Sequence, residues 1–377
     1  MSLLDRWNSA LEQLRAQGRY RSFALPRGID LTSNDYLGDG TRVPLVSDRS
    51  SDEKLPHSGM ASRLLRGHHV IWDEVEAALA AWHGAEAALM MASGYAANEG
   101  LISTVMEPGD WVATDELNHA SIVDGLRLAK SRRFAFRHND LGHLEEGLKA
   151  EVARNDADRQ RFILTESLFS MDGDRAPLAE MAALAEKYTA HLIVDEAHST
   201  GCFGETGAGC VDAAGVRAGV LASVHTGGKA LGVPGAYIVG SRLLREYLIN
   251  RCRHLIFPTA LPAAVGGWWR DMIPRVRADA PGRQRLHENA RLFRAELARL
   301  GVRAIGDHYI VPVIVGDDAK AVATAKRLQE QGFDIRAIRP PSVPPGTARL
   351  RIAIHADHDQ PMLARLAAAV ADALNHD

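Results

Sequence analysis

The sequence predicts an α/β protein with a large domain built on a mainly parallel sheet and a small α+β domain at the C-terminal end. Short apolar runs alternate with helical stretches over the first two thirds of the chain, which is typical of a doubly wound sheet. The pattern changes near Pro258–Pro262, after which a long helical region precedes a mixed unit. Because 46% of the 377 residues are hydrophobic, the chain has enough apolar surface for two closely packed domains.

Residues 1–40 are predicted to form an N-terminal arm and a short strand. The arm has apolar residues at helical spacing, which would share one face of an amphipathic helix: Leu4, Trp7, Leu11 and Leu14. Such a face suggests that the arm lies on a partner surface. The strand is expected at Ile29–Thr32, and a turn follows it at Ser33–Gly38.

Residues 41–262 are predicted to form the large domain. A polar loop is expected up to Pro56, and helices are expected at Trp72–Trp82 and Leu178–Tyr188. The short apolar runs between helical stretches are interpreted as the strands of the parallel sheet: Ala87–Met91, Trp111–Thr114, Phe134–Phe136, Phe162–Thr165 and Leu192–Asp195.

Residues 263–377 are predicted to form the small domain. A helical region rich in Arg, Ala and Leu extends to about Leu300. Two strands are expected at Tyr309–Val315 and Ala348–Ile354, with helices at Ala319–Gln331 and Pro361–Leu374 packed over them.

The composition favours an enzyme that acts on small molecules over a protein that binds nucleic acid or a membrane. The chain has 44 Lys and Arg against 47 Asp and Glu, a net charge of −3, so it lacks an overall basic field for nucleic acid or a membrane surface. Its three cysteines include no CxxC pair, and we therefore expect neither a disulfide framework nor a metal site. No signal peptide and no apolar run long enough to span a bilayer are evident, so a cytoplasmic enzyme is expected.

Polar residues that follow predicted strands are the candidate site, because ligands collect at the carboxyl ends of parallel strands. Gly94 and Tyr95 begin a helix whose N–H groups could hold a phosphate. Asp195 could pair with a protonated pyridine nitrogen, and Lys229, in a glycine-rich loop, could form a Schiff base with a cofactor aldehyde. His119 could stack on the ring. Taken singly, each of these sequence features has an ordinary structural explanation: a plain turn at Gly94, a solvated Lys229 or a capping His119.

Eight motifs occur in an order and at a spacing that resemble the α-oxoamine synthases over nearly the whole chain. They are Asn34–Gly38, Ser62–Arg63, Ser93–Asn98, Asn118–Ser121, Glu166–Gly173, Asp195–Gly201, Thr226–Lys229 and Arg349–Ile352. The resemblance implies a fold-type-I pyridoxal-phosphate transferase, with a sheet of the seven-stranded type. It also implies a homodimer with active sites shared between subunits.

The resemblance also implies a role for each matching residue. Lys229 would hold pyridoxal 5′-phosphate covalently, Asp195 would pair with the pyridine nitrogen, and His119 would stack on the ring. His198 and Ser170 would lie near the ring hydroxyl. The phosphate would be held by Gly94, Tyr95 and Thr226, with Thr259 added from the neighbouring subunit.

Five residues are implied in substrate binding, and His119 is one of them in addition to its place on the ring. Arg351 matches the arginine that clamps the amino-acid carboxylate, and Asn34, Ser342 and Arg21 match positions near the substrate. The run 338–344 most resembles the biotin-pathway members, which join L-alanine to a pimeloyl thioester on coenzyme A or acyl carrier protein. One departure is that the family's glycine-rich stretch is replaced here by His57–Arg63.

Three other functions compete with this interpretation. The string Asp195–His198 is also the DEAH box of nucleic-acid ATPases, but a phosphate loop would need glycine at Ser223 and Ser or Thr at Ala230. A non-catalytic partner subunit could dispense with Lys229, which is present. Sister activities that use glycine or serine with another acyl-CoA remain the closest alternatives.

Overall fold

The computed structural model describes residues 1–42, 55–154 and 158–375. It divides into two compact units, each described here by itself. The larger unit comprises residues 37–170 and 175–283. The smaller unit comprises residues 1–36, 171–174 and 284–377.

The strands are numbered in chain order: β1 (Ile29–Asp30), β2 (Ala87–Met91), β3 (Trp111–Asp115), β4 (Arg132–Phe136), β5 (Arg161–Glu166), β6 (His191–Asp195), β7 (Val220–Thr226), β8 (Ala236–Gly240), β9 (Ile310–Gly316), β10 (Phe333–Asp334), β11 (Ala337–Ile338) and β12 (Ala348–Ala353). The helices are α1 (Leu3–Ala16), α2 (Asp39–Arg42), α3 (Val70–Trp82), α4 (Gly94–Val105), α5 (Ala120–Ala129), α6 (Leu141–Val152), α7 (Leu178–Lys187), α8 (Cys210–Ala213), α9 (Arg242–Arg251), α10 (Arg253–Ile256), α11 (Ala263–Ala278), α12 (Ala280–Arg299), α13 (Asp318–Glu330) and α14 (Gln360–Asn375).

The larger unit contains a seven-stranded sheet in the order β2-β8-β7-β6-β5-β3-β4. Its neighbours pair in parallel except along β8, which is antiparallel to both β2 and β7. The prediction of a mainly parallel sheet of the seven-stranded type is therefore confirmed. Because the carboxyl ends of parallel strands meet at one edge, the residues that follow β2, β3, β5, β6 and β7 are brought together there.

Strands β7 and β8 were not predicted from the sequence. The reason is visible in β7, which buries two polar side chains, Ser223 and His225. These residues interrupt the apolar run by which a buried strand is recognised. The five predicted strands of this sheet and the helices expected at Trp72–Trp82 and Leu178–Tyr188 are confirmed. Most of the polar loop expected before Pro56 lies outside the described residues.

The smaller unit contains a three-stranded antiparallel sheet in the order β11-β12-β9 and a two-stranded parallel pair, β1 and β10. Helices α13 and α14 confirm the two helices predicted for this region, and β9 and β12 confirm the two strands. The predicted arm is helical over α1, whose described side chains are all at least partly exposed. Among the described residues, no helix is long and apolar enough to cross a bilayer.

The two units differ from the predicted domain ranges 1–40, 41–262 and 263–377. Helix α11 belongs to the larger unit because it packs on α3, where Gly266 contacts Ile71 closely. The first 36 residues belong to the smaller unit because β1 pairs with β10 and the Ala353 N–H donates to the Leu31 carbonyl at 2.9 Å. The predicted functional division of the chain stays a prediction.

Two adjacent glycines before Lys229 give a test of packing. A Cβ at Gly227 would overlap the buried Trp269 ring and the Val233 carbonyl, whereas a Cβ at Gly228 would meet nothing within 4 Å. We expect Gly227→Ala to lower the free energy of unfolding by about 1–3 kcal/mol, because a packed site must give way. Urea unfolding should show this loss, and Gly228→Ala is the matched control. Equal stabilities of the two variants would contradict this packing.

Candidate active site

A cavity of about 510 Å³, part of which opens to solvent, lies in the larger unit. It gathers seven residues that the sequence predicted for one site: Gly94, Tyr95, His119, Asp195, His198, Thr226 and Lys229. These residues come from four separate segments of the chain, each at or after the carboxyl end of a strand of the seven-stranded sheet: β2, β3, β6 and β7. The fold therefore brings together most of the residues predicted to hold the cofactor.

Asp195 ends β6, and its buried carboxylate is held by two donors. Asn98 Nδ2 donates to Oδ2 at 2.6 Å, and the Ala197 backbone N–H donates to Oδ1 at 2.8 Å. A carboxylate that accepts such bonds on both oxygens is fixed in place and presents an anion to the cavity.

Lys229 lies in the loop after β7, and its Nζ is 2.7 Å from His198 Nε2. A lysine ammonium has only protons to offer, so a bond from Lys229 requires the lone pair of His198 Nε2. In that arrangement the ring proton of a neutral His198 is on Nδ1. The pair therefore places a proton donor and a proton acceptor side by side in the cavity.

His119 caps the N-terminus of α5. Its Nδ1 accepts the Ser121 backbone N–H at 3.2 Å and lies 2.7 Å from Ser121 Oγ. Partial burial lowers the pKa of His119, while the charge of Asp195 acts in the opposite direction. A neutral His119 with Nδ1 as acceptor has its proton on Nε2.

The start of α4 forms an anion seat. Ser93 caps the helix by accepting the Ala96 N–H at 3.2 Å, and α4 then begins at Gly94. A Cβ at Gly94 would be 3.6 Å from Thr226 Oγ1, so this helix start lies against the Thr226 hydroxyl. Unpaired N–H groups at a helix start favour negative charge, and the hydroxyl adds a donor.

The sequence did not reveal the roles of three further cavity residues, Asn98, Ser121 and Glu166. Asn98 Nδ2 donates to Ser121 Oγ at 3.0 Å as well as to Asp195. Glu166 pairs with Asp195 across β5 and β6, and its Oε1 makes no hydrogen bond among the described residues. Burial first, and then the charge of Asp195, raise the pKa of Glu166 well above its usual range. The sequence signal that could have identified Glu166 was its position at the end of β5.

Two predicted cofactor residues lie elsewhere in the larger unit. Ser170 does not line the cavity, although its backbone N–H interacts with the Glu166 carboxyl group. Thr259 lines a separate cavity with Arg63, and its expected contribution from a neighbouring subunit stays a prediction. Arg63 itself forms an ion pair with buried Glu76, so its charge is compensated within the chain.

Four of the five predicted substrate residues, Arg21, Asn34, Ser342 and Arg351, belong to the smaller unit, whereas His119 lines the cavity of the larger unit. Arg351, buried in β12, donates from Nη2 to Asn34 Oδ1 at 2.9 Å and to the Tyr36 hydroxyl at 3.3 Å. Arg21 and Ser342 share a second cavity, which Arg19 and Arg339 also line. The prediction that Arg21 and Ser342 act near one ligand thus has a structural basis, although their roles stay predictions.

Comparisons with known proteins show similarity along almost the whole chain. The sequence matches the family described as aminotransferase class I and II over residues 26–370. It is 41% identical to an 8-amino-7-oxononanoate synthase of Chlorobaculum parvum, covering 92% of this chain and 93% of that protein. It is also 41% identical to the 8-amino-7-oxononanoate synthase of Geobacter sulfurreducens, covering 96% of each. A solved serine palmitoyltransferase of S. paucimobilis with a bound PLP–myriocin aldimine has a TM-score of 0.90 at 30% identity, covering 99% of this chain and 98% of that one.

Glu196, directly after Asp195, gives a pH-dependent test. Burial raises the pKa of Glu196 to about 7, although the Cys210 and Val211 N–H groups donate to its Oε1 at 2.8 and 3.0 Å. The folded protein therefore holds this proton more tightly than the unfolded chain does. Stability conferred by this group should fall as pH rises from about 4.5 to about 7.

We expect Glu196→Gln to gain stability relative to the natural protein between pH 5 and pH 8, by up to about 3 kcal/mol, because the amide does not ionise. Urea unfolding at each pH unit measures the difference. Glu145→Gln is the control, since the pKa of Glu145 is about 2 and this group titrates below the tested range. Parallel pH curves for Glu196→Gln and the natural protein would refute the assignment.

Proposed function

This chain belongs to the α-oxoamine synthases of the aminotransferase class I and II family, and we propose that it condenses L-alanine with a pimeloyl thioester. The products are 8-amino-7-oxononanoate, carbon dioxide and the free thiol, in biotin biosynthesis. The observation that carries the proposal is the Lys229 amine, held 2.7 Å from His198 in a cavity that also contains Asp195 and His119. A cytoplasmic homodimer with active sites shared between subunits is part of the proposal.

The cavity fits pyridoxal 5′-phosphate. Lys229 supplies the amine for a covalent bond to the aldehyde, and Asp195 supplies a fixed carboxylate for the pyridine nitrogen. The start of α4 with Thr226 provides the phosphate seat. His119 would lie against the ring, and His198 with Ser170 would serve the ring hydroxyl. When bound, the cofactor supplies an electron sink for the carbon that loses its proton.

The residues of this chain then have separate tasks. Lys229, as the neutral amine, removes the α-proton of the amino acid, and His198 beside it holds Nζ in position. Asp195 keeps the pyridine nitrogen protonated, because its bonds from Asn98 and Ala197 N–H fix it as an acceptor. The neutral His119 ring shields one face of the reacting atoms from water.

Substrate binding is assigned to the smaller unit. Arg351 offers a planar guanidinium whose geometry suits the carboxylate of the amino acid, and Asn34 and Tyr36 orient it. The Arg21–Ser342 cavity, of about 320 Å³, is cationic through Arg21 and Arg339, while Asp318 compensates the charge of Arg19 at 2.8 Å. Such a cavity suits the distal carboxylate of a pimeloyl chain or the phosphates of its carrier. A cationic cavity gives little binding energy to an acyl chain whose far end is apolar.

A sister activity is the second candidate. The similarity in fold to a serine palmitoyltransferase, with a TM-score of 0.90, favours serine and a long acyl-CoA as the alternative pair. The two functions would share the cofactor cavity of the larger unit and differ in what the smaller unit binds. Substrate comparison therefore distinguishes them where cofactor chemistry does not.

The first prediction of the proposal concerns Lys229. Purified protein should be yellow, and borohydride should fix the cofactor to Lys229 as judged by peptide mass analysis. Lys229→Ala should lose at least about a hundredfold in turnover while still binding cofactor through the phosphate seat. Lys187→Ala is the control, because Lys187 pairs with Glu145 on the surface. A colourless protein, or label on Lys187, would exclude the assignment.

The second prediction concerns the substrates. Values of kcat/KM over alanine, glycine and serine with pimeloyl, acetyl and palmitoyl thioesters should be highest for alanine with pimeloyl. Arg21→Gln should raise KM for the pimeloyl thioester about tenfold or more and leave KM for alanine nearly unchanged, since a charge-assisted bond is lost. Arg299→Gln, an exposed arginine of the same unit, is the matched control. A preference for serine with palmitoyl would favour the sister activity.

A further inference from the structure

Strand β7 carries a polar cluster on the side away from the cofactor cavity. Ser223 and His225 are both 0% exposed, and Thr200 is 1% exposed. Buried polar groups are costly unless they are hydrogen-bonded, so their partners are expected to be specific. The cluster forms one continuous chain of hydrogen bonds, here called the His225 relay: Arg217, Ser223, His225, Thr200 and the backbone carbonyl of Glu196.

The relay has a defined direction. Arg217 Nη1 can only donate, so the Ser223 hydroxyl oxygen accepts from it at 2.7 Å and keeps its own proton available for His225 Nε2, also at 2.7 Å. At the other end, the Thr200 hydroxyl donates to the Glu196 carbonyl oxygen at 2.8 Å. A lone pair of Thr200 Oγ1 is then left for the proton on His225 Nδ1, at 2.8 Å.

This direction of the hydrogen bonds requires a neutral His225, because Nε2 accepts a proton while Nδ1 donates one. Burial first, then the neighbouring His83 and Arg217, place the pKa of His225 well below its usual range. His83 is also neutral at physiological pH, because burial lowers its pKa to about 3. The imidazole is held in a fixed plane by Tyr237, whose ring stacks on it at 4.8 Å between centroids and 6° between planes. His225 therefore acts as a rigid two-ended connector.

The relay joins the two segments that carry the cofactor site. The Glu196 carbonyl follows Asp195 directly, and the same turn presents His198 to Lys229. His225 precedes Thr226 of the phosphate seat and lies four residues before Lys229. One buried ring thus links the turn after β6 with the end of β7.

We infer that His225 is a positioning residue, which through the relay fixes the Asp195–His198 turn relative to Thr226 and so sets the affinity for pyridoxal 5′-phosphate. This inference rests on the proposed cofactor and deepens it. The relay contacts neither cofactor nor substrate, and it changes no bond. Its effect is geometric. The relay keeps a constant distance between the Asp195–His198 turn and Thr226, which are proposed to hold opposite ends of the cofactor.

Variants at Thr200 test the relay without touching the cavity lining. Thr200→Val keeps the shape but leaves the His225 Nδ1 proton without its acceptor, so the dissociation constant for pyridoxal 5′-phosphate, from fluorescence quenching, should rise about tenfold. Thr200→Ser restores the hydroxyl and should bind within about twofold of the natural protein. Tyr237→Phe is the matched control, since it removes an equally buried hydrogen bond, to His83 at 2.9 Å, that is outside the relay.

Two measurements keep the inference falsifiable if Thr200→Val folds poorly. Nitrogen-15 NMR of the histidine rings in the natural protein should show His225, identified by its loss in His225→Phe, as the Nδ1–H tautomer from pH 5 to pH 8. In a double-mutant cycle, His225→Phe added to Thr200→Val should weaken cofactor binding no further, because both break one relay.

An Nε2–H tautomer or a charged ring would overturn the relay. Unchanged cofactor binding in Thr200→Val would also overturn it. An equal loss of cofactor affinity in Tyr237→Phe would do the same, because it would indicate that the cluster is merely structural. These outcomes are distinct from failure of the proposed function. If the natural protein binds no pyridoxal 5′-phosphate, or prefers other substrates, the proposed function fails while the tautomer measurement still decides the relay geometry.

Discussion

The buried carboxylate of Asp195 is the constraint on which the site depends. Removing an anion from water is costly, and Asn98 Nδ2 and the Ala197 N–H offset that cost at 2.6 and 2.8 Å. Asn98 belongs to α4, so the position of this helix is tied to the charge that ends β6. The same amide donates to Ser121, which in turn contacts His119. One buried charge thus orders three of the segments that surround the cavity.

The sheet determines which residues can meet around that charge. Parallel strands bring their carboxyl ends to one edge, so residues far apart in the sequence line one cavity. Glu166 and Asp195 are neighbours on adjacent strands. Burial first, and then the charge of Asp195, raise the pKa of Glu166 well above its usual range. Asp195 is held by two hydrogen-bond donors, and it is the acid that we propose as the partner of the pyridine nitrogen.

The sequence predicted the parts of this arrangement that depend on one strand and its following turn. Asp195, His119 and Lys229 could be predicted because each lies in a segment that resembles a motif. Asn98 also lies in a motif, Ser93–Asn98, but its bond to Asp195 could not be predicted, because that bond depends on which face of α4 meets β6. The relay also escaped prediction, since His225 interrupts an apolar run and acquires its partner only when Thr200 folds beside β7. Local sequence patterns do not predict which distant segments of the chain come into contact.

The proposed function assigns catalysis and substrate choice to different units of the chain. The residues proposed to hold the cofactor lie in the larger unit, whereas Arg21, Asn34, Ser342 and Arg351 lie in the smaller one. A change in the smaller unit can therefore alter the substrate without disturbing the Asp195 network. A serine palmitoyltransferase shares the fold with a TM-score of 0.90 at 30% identity. Similarity of fold does not identify the substrate, and the charges in the Arg21–Ser342 cavity carry the argument for the proposed one.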